Sequence, residues 1–185
     1  MVCCRQRYIL SIKTRTYRWR SLLYKVMQEI SNQLQFDQAS IEDTYFLVKT
    51  ICEDLIRKKI IPIVIGGGHN NAYPIIKATA KSLYKMEKTK RAMINCMNLA
   101  STADFRIMEG RHSGNPFRYA MEEGYLNRYA VIGLQENINP QSMMDDLYSN
   151  ISIQYHTYEE IFVEERLNMI QSISQSYSFI DDDPI

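Results

Sequence analysis

The 185-residue chain is long enough for one domain with a sizeable core, and its 45% hydrophobic and 23% charged residues exclude a disordered polymer. A formal net charge of +1 gives no general case for nucleic acid or a membrane surface as partner. No apolar run approaches the roughly 20 residues that a membrane-spanning helix requires. The four cysteines, Cys3, Cys4, Cys52 and Cys96, form no C-x-x-C pair. Cys52 and Cys96 fall on apolar positions and read as reduced core thiols, so a reducing cytoplasm is the default location.

In chain order, residues 1–40 form a basic, divergent N-terminal segment and residues 41–185 an α/β domain. Met1 to Gln28 contains no acidic residue but includes Arg5, Arg7, Lys13, Arg15, Arg18, Arg20 and Lys25. Such a start suits a solvated tail or a mitochondrial transit segment. It is poor in Ser and lacks a clean amphipathic period, which favours the tail. Ser21 to Leu34 carries a helical pattern. Ser40 and Asp43 make a near capping box for a stronger helix. Its apolar face runs through Ile41, Phe46, Val48, Cys52, Leu55 and Ile56.

Ile60 to Ile65 is short, β-branched and apolar, the pattern of a buried parallel strand. Gly66 to Gly68 end it, and Tyr73 to Met86 is helical. Ala92 to Leu99 is the next strand, followed by a long loop, Ala100 to Asn115. Pro116 suits the first turn of a helix reaching Glu123. Tyr129 to Leu134 is a strand, Gln141 to Tyr148 a helix and Ile151 to Tyr155 a strand. Glu159 to Gln175 reads as a helix and Tyr177 to Asp181 as a fifth strand. This alternation predicts a three-layer α/β/α fold around a mainly parallel sheet.

Four islands carry the chemistry: Gly66-Gly67-Gly68-His69-Asn70-Asn71-Ala72-Tyr73, Ala103-Asp104-Phe105-Arg106, Arg111-His112-Ser113-Gly114-Asn115-Pro116-Phe117, and Asp181-Asp182-Asp183. They place an imidazole and carboxylates at predicted strand ends, where open α/β sheets build their sites. His69, Asp104 and the carboxylates of Asp181 to Asp183 make a plausible ligand set for a divalent ion such as Mn²⁺. His156 lies near a strand end without a partner motif and reads as a half-exposed structural histidine. In the absence of metal, clustered carboxylates would repel one another. The expectation is then a chain more stable at mildly acid pH than at neutral pH.

In their order and wording the islands resemble the ureohydrolases (arginase, agmatinase and formimidoylglutamase), and most closely the formimidoylglutamase branch. The resemblance covers roughly Ile60 to Ile185. Against the family pattern the chain looks shortened at both ends. The resemblance implies metal-dependent hydrolysis of a linear amidine or guanidine, releasing an amine plus urea or formamide. It also implies a pair of Mn²⁺ ions. His69 matches the first ligand histidine, and Asp104 the last carboxylate of a D-x-H-x-D motif. Asp181 matches a carboxylate bridging both ions, and Asp183 a ligand of the second. The first Asp and the His of D-x-H-x-D fall on Ala100 and Thr102, which implies one ion rather than two. The loop Arg111 to Phe117 resembles the family's substrate loop, in which Ser113 and Asn115 could donate hydrogen bonds to the substrate's amino acid end, while the guanidinium fork of Arg106 could pair with its carboxylate. The implied ligand is a small amidine or guanidine amino acid, formimidoylglutamate foremost, and the implied assembly a homo-oligomer. Two readings follow: an impaired hydrolase, or an inactive pseudoenzyme or scaffold subunit.

Overall fold

The computed structural model describes residues 41–65, 68–87 and 93–181. The basic segment 1–40, the helix expected from Ser21 to Leu34 and the candidate ligand Asp183 lie outside them.

Helix α1 (Ile41–Arg57) packs against α2 (Ala72–Glu87). A 3-10 turn, His69–Asn71, leads directly into α2. Three parallel strands follow: β1 (Ile94–Leu99), β2 (Leu126–Leu134) and β3 (Ile153–Thr157), hydrogen-bonded in the order β1-β2-β3. Met97 pairs with Ala130 and Val131 with Tyr155. Parallel neighbours need a long crossover. The loop after β1 with α3 (Pro116–Glu122) supplies the first, and α4 (Gln141–Ser149) the second. One sheet face carries the main core. Tyr129, Val131 and Ile153 pack there with Phe117, Ala120, Met143, Met144 and Leu147. Cys52, Ile56 and Ala78 form a smaller cluster between α1 and α2. Burial pushes both the Cys52 and Cys96 thiols up to about 11, so at neutral pH they are protonated and poorly reactive. Neither forms a disulfide.

Two predicted strands are not strands. Residues 60–64 have no regular secondary structure, and Ile65 makes only an isolated bridge. Ile61 and Ile63 stand 87% and 65% exposed. A buried parallel strand needs a neighbour along its length, and among the described residues this one has none. Tyr177–Asp181 is the last part of helix α5 (Met169–Asp181). The predicted helix Glu159–Gln175 is correspondingly split. A π-helical turn, Glu159–Val163, ends, and the chain restarts at Asn168. There the Gln171 N–H donates to Asn168 Oδ1 and the Asn168 N–H to Gln171 Oε1, both at 2.9 Å. This reciprocal cap opens α5, and no Gly or Pro interrupts it before Pro184.

The end of α5 is fixed at the start of the strands. Asn95 Nδ2 donates to the Ile180 carbonyl and Arg128 Nη1 to the Phe179 carbonyl, each at 2.5 Å. Asp181 is therefore at the N-terminal end of the sheet. Asp104 follows the C-terminal end of β1. The expected acid stabilisation required these carboxylates to cluster, and this arrangement removes its basis for that pair.

His156 contributes in the opposite direction to the expected trend. It is buried, not half-exposed, and its Nε2 has no hydrogen-bond partner among the described residues. Burial holds its imidazole below the usual range, only partly opposed by the Glu160 carboxylate. A base with a depressed folded-state pKa is neutral when the unfolded chain has already taken up a proton. Its contribution is complete above the unfolded value near ~6.5 and is lost as pH falls below it. The melting temperature is expected to drop on acidification from neutral pH, and His156→Gln to flatten that drop. A melting temperature that climbs on acidification would contradict this.

Candidate metal and substrate site

His69 opens the turn before α2, and its ring meets Phe117 edge-on at 5.3 Å. Its Nδ1 is hydrogen-bonded to Asp104 Oδ2. Asp104 Oδ1 accepts from Thr102 Oγ1 at 3.0 Å. Asp104 has a positive φ of 48°, uncommon for a residue with a side chain. The neighbouring Ala103 holds it there. The Ala103 carbonyl accepts from the Tyr129 hydroxyl at 2.8 Å, and its N–H donates to Asn139 Oδ1 at 3.3 Å. Asn139 in turn donates to the carbonyls of Ser101 and Gln135. The ends of β1 and β2 are thereby tied together beneath the carboxylate.

His69 and Asp104 thus meet, although 35 positions apart. Asp181 does not join them, because α5 carries it to the opposite end of the sheet. Among the described residues, no group of three or more His, Cys, Asp or Glu side chains is placed to share an ion. Thr102 binds Asp104 instead of presenting an imidazole, and Ala100 has no donor atom. In this arrangement the described residues do not fit a pair of metal ions.

The three substrate candidates separate. Arg106 and Ser113 line a cavity of about 200 Å³ with Thr102, Asp104 and His112. The Arg106 guanidinium has no hydrogen-bond or ion-pair partner among the described residues, and Ser113 is exposed. Asn115 is fully buried, and its side chain is engaged within the loop. Its Nδ2 donates to the carbonyls of Ile107 (3.1 Å) and Gly110 (2.8 Å), while Oδ1 accepts from the His112 N–H (3.0 Å). In this structure Asn115 shapes the loop. At Gly114 a Cβ would sit 3.1–3.2 Å from the His112 ring and the Arg106 side chain, so a side chain there would crowd the cavity wall.

Sequence reasoning missed the clamp beside this loop. Arg111 donates to Glu42 (2.8 and 3.1 Å) on α1, to Glu123 (2.8 Å) after α3, and to the Tyr73 hydroxyl (3.2 Å) on α2. Its guanidinium lies 4.7 Å from the Tyr73 ring and 5.3 Å from the Tyr119 ring. Partial burial works to raise the Glu123 carboxyl. Hydrogen bonds from Tyr73, Arg111 and Lys77 outweigh it and hold the group below the usual carboxylate range. Arg111 was visible in its motif, but its partners come from three distant helical segments and no local pattern marks them.

A family model described as "Arginase: Arginase family" matches residues 7–185. Among curated relatives, the formimidoylglutamase of Rhodococcus jostii is 26% identical over 124 residues, spanning 65% of this chain and 38% of that protein. That of Macrococcus caseolyticus is 30% identical over 118 residues, spanning 64% of this chain and 36% of that protein. The chain therefore spans little more than a third of these relatives' length. The crystal structure of formimidoylglutamase from Bacillus subtilis superposes with a TM-score of 0.65 at 20% identity, over 78% of this chain and 43% of that one. The Trypanosoma cruzi formiminoglutamase, described with Mn2+2, gives 0.63 at 18% identity, over 77% and 46%. Its three parallel strands flanked by helices match part of the arginase fold, and the chain belongs to the arginase family.

Proposed function

We propose that this chain is an arginase-family pseudoenzyme, one that keeps the scaffold and a ligand pocket for an amidine or guanidine amino acid but lacks the two-ion hydrolytic centre. The observation that carries this reading is the content of two positions at the end of β1. Ala100 and Thr102 stand where the resemblance calls for a bridging carboxylate and an imidazole. The remaining donors near them, His69 and Asp104, are hydrogen-bonded to each other. Two donors with water hold a hard ion weakly, so one Mn²⁺ at most is expected. The pocket keeps charges of both signs: Asp104 on one wall and Arg106, unpaired among the described residues, on another. A guanidinium fork matches a carboxylate, so Arg106 and Ser113 would take the acid end of a formimidoylglutamate-like molecule. Protonated, buried thiols fit a reducing compartment such as the cytoplasm. An oligomer, if formed, would be a scaffold assembly of copies.

The alternative is a hydrolase that is slow but real. Loading the purified chain with Mn²⁺, counting bound metal by elemental analysis, and assaying formamide and urea release separates the two. The expected result is no more than one ion per chain and no product above background. Ala100→Asp combined with Thr102→His should raise the metal count. Two tightly held ions per wild-type chain, or sustained turnover, would overturn the proposal.

A further inference from the structure

Charge is divided unevenly along this chain. Residues 129–181 carry eight acidic side chains against a single Lys or Arg, Arg166. Residues 1–28 carry seven Lys and Arg side chains and no acidic one. The formal net charge of +1 conceals two stretches of opposite sign.

The fold gathers the acidic stretch along β3, the last strand of the sheet, whose outer side has no strand partner among the described residues. Tyr148 on α4 and Tyr155 on β3 meet with ring centroids 5.4 Å apart, and the Tyr148 hydroxyl donates to Glu136 Oε1 at 2.8 Å. Partial burial, then the Glu136 carboxylate it binds and the nearby Asp145, push the Tyr148 phenol up to about 12. Burial also raises the Tyr155 phenol, and the Glu136 and Glu160 carboxylates add to it. Acids from three elements thus act on one pair of rings. The π-helical turn that supplies Glu160 also carries two exposed rings. Tyr158 and Phe162 lie 4.9 Å apart and are 39% and 50% exposed, and Tyr148 is 48% exposed. Arg166 is already engaged, by Glu160 at 3.9 Å and by Glu164. Glu136, Asp145, Glu159 and Glu165 form no ion pair among the described residues. Glu159 Oε2 is closed to water and has no hydrogen-bond partner among them. A carboxylate oxygen in that state costs free energy that a cationic donor would recover.

We propose that the basic segment 1–28 docks on this edge of its own chain, with arginines over the rings of Tyr148, Tyr158 and Phe162 and against the carboxylates of Glu136, Glu159 and Glu165. Charge complementarity selects this occupant, since an acidic edge repels a phosphate surface or a nucleic acid. Five of the seven cations are Arg, which stacks on aromatic faces as well as pairing with carboxylates. The fold already uses that contact, with Arg111 lying 4.7 Å from the Tyr73 ring and Arg118 4.5 Å from the Phe105 ring. Chain length permits the docking. Residues 29–40 link the segment to α1, and they reach up to ~40 Å when extended, the width of a domain this size. Each exposed ion pair is weak. A tether of this length compensates by holding the segment at an effective concentration on the order of millimolar. The docking does not depend on whether the chain hydrolyses anything.

Carbodiimide cross-linking of the whole chain at low salt, on an equal mixture of isotope-labelled and unlabelled protein, tests it by mass spectrometry. Lys13 and Lys25 are expected to join Glu136, Glu159, Glu164 or Glu165 within one chain. Hydrogen exchange in residues 153–165 should quicken at least about threefold when salt is raised to ~0.5 M, while β2 amides stay as they were. Arg15→Ser with Arg18→Ser and Arg20→Ser should quicken it as much at low salt. Glu136→Gln with Glu165→Gln leaves the segment intact and should cut the links to Glu159 and Glu164 by a similar factor. Links joining labelled to unlabelled chains would put the segment on a second copy and overturn the proposal. So would links spread evenly over Glu53, Glu109 and Glu122, or exchange in 153–165 that neither salt nor the arginine changes move.

Discussion

Tyr129→Ala is expected to cost about 3–5 kcal/mol, the range for deleting a large aromatic from a packed core, and so to leave little of a typical small domain's 5–15 kcal/mol margin. Tyr129 is fully buried at the centre of β2. Its ring stacks on Phe117 at 4.3 Å and lies parallel to Phe105 at 6.4 Å. Its hydroxyl donates to the Ala103 carbonyl at 2.8 Å and accepts from Asn98 Nδ2 at 2.9 Å. Burial pushes the phenol well above its ordinary value, so it remains a donor at any ordinary pH. Tyr129→Phe separates the two contributions. It preserves the ring and leaves the Ala103 carbonyl and the Asn98 amide short of a partner, at a cost of about 1–3 kcal/mol. Because Ala103 fixes the Asp104 backbone, this variant should also shift the His69 imidazole resonances. Urea unfolding with matched m-values checks the energies. A Tyr129→Ala protein within about 1 kcal/mol of wild type would remove Tyr129 from the centre of this account.

Asn115→Asp is expected to be the most damaging near-isosteric change, at about 3 kcal/mol or more at neutral pH, because it buries an unpaired charge. The amide nitrogen now satisfies two carbonyls, those of Ile107 and Gly110. Its replacement by oxygen sets a carboxylate against both in a site closed to water. Asn115→Ala should cost less, since it leaves the same groups unpaired without adding charge. The gap between the two variants should narrow as pH falls from neutral, because burial raises the new carboxyl's folded-state pKa, and it should close by pH ~4, the unfolded value. Denaturation midpoints across pH, with proteolysis of the 107–112 loop as a local probe, measure this. The comparison also decides the role of the residue. The resemblance implied a substrate contact for Asn115, and in the structure its polar atoms face the loop. If Asn115→Asp matched wild-type stability and only ligand binding fell, the substrate role would be right.

The legible parts of the fold were those with a local cause. β1, β2, β3 and α4 were read within a few residues of where they lie, because a short apolar run between turn residues has few other uses in an alternating chain. Ile60–Ile65 has the same spelling, yet a strand exists only where a neighbour supplies its hydrogen bonds. Tyr177–Asp181 shows the converse. Its pattern favours a strand, while the reciprocal cap at Asn168 and Gln171 and the carbonyl contacts of Asn95 and Arg128 hold it as helix. Both outcomes depend on residues far along the chain, which periodicity does not register.

The same division runs through the site. Sequence alone established the family wording of the four islands and the loss of two donors at Ala100 and Thr102, because side-chain chemistry at a position is independent of the fold. It also named His69 and Asp104 as candidates. Tertiary structure decided that these two meet, that Asp181 lies at the other end of the sheet, that Asn115 turns inward and that Arg111 is gripped by Glu42, Glu123 and Tyr73. Those outcomes are sums of contacts between segments tens of residues apart, and only the assembled packing sets which of the competing contacts form.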